Sequence, residues 1–189
     1  LLSSANWGGQ GLHLRGNLEG FMRSASPHRF LEVHGLEHWT HFYTDYGIDL
    51  QRRFFDCYLK GDIAAWANQA RVQLQIRHVG DRFVARAEHE WPLARTRWTR
   101  WHLDAGHGGL GEASPADAAS GEFQREDDGL DFGTAPFEQE TEITGPISAR
   151  LWISSSTEDA DLYLVLSLLD PQGQEVAFRG AMDAYTPVA

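Results

Sequence analysis

A single cysteine among 189 residues leaves no partner for an internal disulfide and no thiolate set for a structural zinc site. Cys57 stands in an aromatic run with Phe54, Phe55 and Tyr58, a setting that suits a buried, inert thiol. Cations are also scarce. Lys and Arg number 16 against 27 Asp and Glu, giving a formal charge of -11. A surface of that sign repels polyphosphate, which argues against nucleic-acid binding. No apolar stretch approaches the ~18 residues of a membrane span, so no membrane partner is expected. An initiator Met is missing before Leu1-Leu2-Ser3-Ser4, and Tyr185 to Ala189 carries no terminal cap or turn. Both ends are therefore expected to be cut from something longer.

What is present has two textures. Residues 1–66 mix strand and helix signals. Leu1 to Asn6 reads as the end of a short buried strand, followed by the turn Trp7-Gly8-Gly9-Gln10-Gly11. Leu14, Leu18, Phe21, Met22 and Ala25 recur at helical spacing. Arg29 to His34 reads as a strand. Thr44 or Asp45 can cap a second helix with Leu50, Phe54, Cys57 and Tyr58 inward and a stop at Lys60-Gly61. Strand, helix, strand, helix is the grammar of an α/β layer on a parallel sheet, and so short a layer needs further strands to bury both faces. From about residue 70 the period becomes two, at Val72, Leu74 and Ile76, then Ile147 to Ile153, Leu162 to Leu168, and Val176 with Phe178. Gly80-Asp81 and Asp170-Pro171-Gln172-Gly173 supply turns, while Asp104 to Asp131 reads as a long loop. Short alternating strands with this punctuation predict a β-sandwich or jelly roll over residues 67–189.

Chemistry concentrates in the run Arg29 to His41, where His34, His38 and His41 fall within eight residues of a strand end. Loops leaving the carboxyl ends of parallel strands converge on a crevice, and a histidine there can take and return a proton near neutral pH. His34-Gly35-Leu36-Glu37-His38 also matches H-x-x-E-H, in which a helix presents two histidines to zinc. Gly35 inside that helix and the strand-like residues before it oppose the zinc reading. A surface loop that happens to hold histidines is the plainest alternative.

The run Leu31 to His38 resembles the strand-then-histidine segment of the CocE/NonD hydrolases, relatives of the Xaa-Pro dipeptidyl-peptidases. Trp91-Pro92-Leu93, Glu140 to Pro146, Ser155 to Leu162 and Asp170 to Gly173 are similar, in order, to successive motifs of that family's C-terminal jelly roll. The resemblance implies the end of an α/β-hydrolase domain joined to part of a β-sandwich. It also implies a serine hydrolase that cleaves a small ester or peptide substrate without a cofactor or metal, with His38 as the triad histidine. The family's G-x-S-x-G serine elbow does not occur, so the nucleophile is expected before Leu1 and the chain alone is expected to be inactive. Gly8 occupies the place of the family's aspartate, and no Asp precedes Asp45. Asn6 could accept from the imidazole, whereas Glu19 reads as a solvated helix residue. Trp39, Tyr43 and Tyr46 are candidates for a pocket wall or for core. Trp98 and Trp101, on an expected strand, motivate a rival reading as a carbohydrate or protein recognition module. The oligomeric state is left open with a homo-oligomer admitted, and the compartment is unassigned with the cytoplasm favoured.

Overall fold

The computed structural model describes residues 1–8, 13–35, 41–80, 82–124, 129–176, 178–179 and 187–188. Two compact units divide the chain: Leu1–Ala94 with Ile147–Ala189, and Arg95–Pro146.

The first unit is built on β1 (Leu2–Asn6), α1 (Leu14–Arg23), β2 (Phe30–His34), α2 (Asp45–Lys60), β3 (Val72–His78) and β4 (Arg82–Glu88). The sheet runs β1-β2-β3-β4, the first two pairings parallel and the third antiparallel. Each parallel step is bridged by a helix, as a parallel connection requires. α1 forms where the apolar spacing predicts it, with Phe21 buried on the sheet. Thr44 caps α2 by accepting from the Gly47 N–H at 3.2 Å, and Gly61 ends it in the left-handed conformation at φ 78°. Of the expected inner face of α2, Leu50 is buried, while Cys57 is half-buried and Tyr58 is exposed. The rings around the thiol pack on each other and on Trp66 (Phe54 to Tyr58 4.8 Å, Phe54 to Trp66 5.3 Å) rather than closing over it.

The change of period near residue 66 does not end this sheet, because β3 pairs with β2 from Leu31↔Val72 to Val33↔Leu74. Leu31, Val33, Val72, Leu74 and Ile76 point to one face and pack with Phe21, Trp91 and Leu93, flanked by Trp7, Leu14, Leu18 and Met22. The other face carries Ser4, Glu32, His34, Gln73 and Gln75, and it is covered by Tyr58 of α2 and by Trp66 in the helical turn Ile63–Trp66, both against Phe30. Alternation in β3 therefore records a sheet with one apolar and one polar face. It does not by itself mark the start of a sandwich.

The strands expected at Ile147 to Ile153 and Leu162 to Leu168 form no ladder among the described residues. Their apolar side chains stand in the open, Trp152 at 87% and Tyr163 at 89% exposure. Alternation assigns faces only when a neighbouring strand takes up the backbone groups. The turn at Asp170 does form: the Gly173 N–H bonds the Asp170 carbonyl at 2.9 Å, and Leu169 bridges Glu175. Near the C-terminus β7 (Phe178–Arg179) pairs with β8 (Pro187–Val188).

The second unit holds the antiparallel pair β5 (His102–Asp104) and β6 (Gly109–Gly111) inside the segment that reads as loop. Asp104 closes its turn by accepting from Gly106 N at 2.9 Å and pairing with His107 Nδ1 at 3.0 Å. Arg97 to Trp101 forms no strand. No helix among the described residues is long and apolar enough to cross a membrane.

Candidate functional site

Glu32 and His34 are two apart in β2, so both side chains leave the same face of the sheet. Parallel register sets Ser4 beside Glu32 and Asn6 beside His34, and on the other flank Gln73 beside Glu32. β2 ends at His34, and the next residue turns with its N–H given to Gln75 Oε1 at 3.0 Å. That residue is Gly35. A Cβ there would lie 2.2 Å from the Phe83 ring, so a side chain at this turn requires that ring to move. The chain returns through a single helical turn at His41–Tyr43 into the capped start of α2.

These elements bring Glu32, His34 and His41 together at 1%, 4% and 7% exposure. Glu32 Oε2 accepts from the Ser4 hydroxyl at 2.6 Å and lies 2.9 Å from His34 Nδ1. His41 Nε2 is 3.7 Å from Glu32 Oε1, and its ring stacks on His34 with centroids 4.1 Å apart and planes 15° from parallel. Tyr46, in the first turn of α2, packs against His41 at 5.0 Å. Burial, and then the neighbouring His34, hold His41 below the ordinary histidine pKa, with Glu32 opposing. Burial, and then the Glu32 charge, push the Tyr46 phenol above its usual range. Glu32 Oε1, His34 Nε2 and His41 Nε2 are buried without a hydrogen-bond partner among the described residues.

One carboxylate and two imidazoles with donor atoms within 4.8 Å form a zinc-type donor set. An imidazole, however, offers its lone pair in the plane of its ring. Rings stacked 15° from parallel direct those lone pairs along separate planes, and the Glu32–His34 hydrogen bond already engages one donor. Both rings cannot meet one ion without rotating. As it stands, the arrangement is a buried acid–imidazole cluster.

His38, Glu37 and Trp39 lie outside the described residues. The H-x-x-E-H helix is not formed at its first histidine, which is a strand residue. Gly8 follows Trp7, whose indole N–H donates to the Gln75 carbonyl; Asn6 is fully buried; Glu19 pairs with Arg23 at 2.6 Å on the outside of α1. Tyr43 is 70% exposed, and Tyr46 reaches the cluster at His41. Trp98 is 69% exposed, while Trp101 packs on Phe137 at 5.9 Å. Glu32 was not singled out from the sequence. Its signal was there: an acid inside an apolar strand, two residues before a histidine, is a buried charge that needs partners.

Residues 64–186 match the family model of the X-Pro dipeptidyl-peptidase C-terminal non-catalytic domain. The chain belongs to that family. It is 26% identical over 168 residues to the cocaine esterase of Rhodococcus sp. (strain MB1 Bresler), an alignment covering 68% of this chain and 28% of the esterase. Two crystal structures of a CocE/NonD family hydrolase from Staphylococcus aureus superpose with a TM-score of 0.56 at 33% identity, covering 59% of this chain and 20% of the hydrolase. The resemblance to CocE/NonD hydrolases drawn from the motifs is thus borne out, and the chain spans about a quarter of these relatives' length.

Proposed function

We propose that this chain is the histidine-bearing part of a serine hydrolase that cleaves an ester or amide bond, with His38 as general acid and base. The observation that carries the reading is position: His38 follows the carboxyl end of β2, a parallel strand, within a family whose relatives include an esterase. The serine comes from sequence outside the chain, since G-x-S-x-G is absent from it. In this reading residues 1–66 are the end of an α/β-hydrolase domain and 67–189 belong to a jelly-roll domain whose first strands, β3 and β4, extend the sheet of β1 and β2. The start of the family match at residue 64 supports that division.

His38 would accept the serine proton during attack on the acyl carbon and return it to the departing alcohol or amine. A hydrolase containing this chain should turn over p-nitrophenyl esters and label with a fluorophosphonate probe. His38→Ala should lower turnover by at least about 10³-fold. Undiminished turnover by that variant removes His38 from the mechanism, and esterase activity in the purified chain alone shows that the nucleophile is within it.

A further inference from the structure

The inner face of α2 is accounted for by its packing: Leu50 is buried, and Phe54 meets Tyr58 and Trp66 at 4.8 and 5.3 Å. A surface helix packed on one side ordinarily presents polar residues on the other. α2 does not. Ile48, Phe55 and Leu59 are each at least half exposed. Together with Asp45 and Arg52 they recur at alternating steps of three and four residues, the spacing that draws one line along a helix and forms the seam of a coiled coil. Exposed Phe42 flanks the line near its start, its carbonyl accepting from Gln51 Nε2 at 3.1 Å, and exposed Ile63 follows its end.

We propose that this line is an interface between two copies of the hydrolase containing this chain, their α2 helices antiparallel across a twofold axis. The inference is independent of the role given to His38. Antiparallel pairing about a midpoint between Arg53 and Phe54 sets Ile48 on Leu59 of the second copy and Arg52 on its Phe55, and the symmetry makes each contact twice. Apolar meets apolar toward both ends, and the central guanidinium lies over a ring, whose face attracts a cation. Charge agrees with that direction. Asp45 stands in the first turn and Lys60 in the last, so each copy's acid approaches the other's base while the helix dipoles oppose. Parallel pairing would set Arg52 against Arg52 and bring like helix ends together. The flanking acids Asp49 and Asp56 are already paired with Arg52, Arg53 and Lys60 of their own copy. One polar residue in an otherwise apolar seam fixes register and orientation at some cost in affinity. A helix of 16 residues is about 24 Å long and buries less than the ~800 Å² per partner of a standard interface, so the dimer should dissociate at ~1–100 μM.

The test is sedimentation of the hydrolase containing this chain across that range, where a monomer–dimer equilibrium is expected. Ile48→Glu and Leu59→Lys should each weaken the dimer at least about tenfold, by setting a charge against an apolar side chain. Far-UV circular dichroism checks that each variant is folded, and should one not fold, the other decides. Combined in one chain the two should restore the dimer to within about threefold, because the antiparallel register sets the new acid of each copy against the new base of the other. A protein that stays monomeric throughout overturns the proposal. A lowered urea midpoint in monomeric Ile48→Glu would then assign the line to contacts within the hydrolase, and an unchanged midpoint to a different protein. A dimer that survives both single changes places the interface elsewhere, and a combined variant that stays weak refutes the antiparallel register.

Discussion

The two faces of the four-stranded sheet are equally hidden at their centre and differ in everything else. On the α1 side, Leu31, Val33, Val72 and Leu74 are at most 1% exposed and pack in one apolar cluster, with Glu88 and Arg86 of the edge strand β4 opposite Val72 and Leu74. On the α2 side, Glu32 is as deeply buried, but among a hydroxyl, two imidazoles and a phenol. The first face is held by a force without direction, which tolerates rearrangement so long as volume is conserved. The second is held by bonds that have direction and charge, where a lost partner leaves a buried polar atom unsatisfied. Strength lies on the first face and positional definition on the second, where His34 and His41 meet Glu32.

That contrast can be broken in stages. Leu74→Ala should cost about 2–5 kcal/mol in urea unfolding, by lost transfer energy plus a cavity, and by the same amount at pH 7.5 and pH 5.5, because its cross-strand partner Arg86 keeps its charge across that range. A cost that varied with pH would show the faces to be coupled. Gly35→Ala should cost about 1–3 kcal/mol, since its methyl would meet the Phe83 ring, and pairing it with Phe83→Leu should recover part of the loss. Absence of recovery would place the strain elsewhere. The smallest effect is a slope. His41 has a folded pKa below its ordinary 6.5, so the unfolded chain takes up a proton that the folded chain refuses. Stability should hold above about pH 6.5 and decline as pH falls from there toward the folded pKa, and His41→Phe, which keeps the stack, should flatten that decline. An unchanged slope in His41→Phe would assign it to another group.

Most of the α/β frame was legible because its elements have local causes: the apolar spacing of α1, the Thr44 cap and the Gly61 stop. The apolar face was legible too, through Val72, Leu74 and Ile76. The polar face was harder to read. Glu32 and His41 are nine residues apart and meet only because β2 runs under the start of α2. In Ile147 to Ile153 and Leu162 to Leu168 the alternation is as regular as in β3, yet no ladder forms there among the described residues. Period two reports which side chains would share a face, and it is silent on whether a neighbouring strand exists to share it with.

The match at residues 64–186 is to a domain described as non-catalytic, and Phe83 falls inside it, whereas Gly35 precedes it. The ring occupies the space that any side chain at the histidine turn would need. The two regions are therefore matched like a key and its ward: a larger residue at 35 requires a smaller one at 83. Exchanging the C-terminal domain between relatives would exchange position 83 as well, so a chimaera that ignores this pair sets a different side chain against Gly35 without changing any residue of β2.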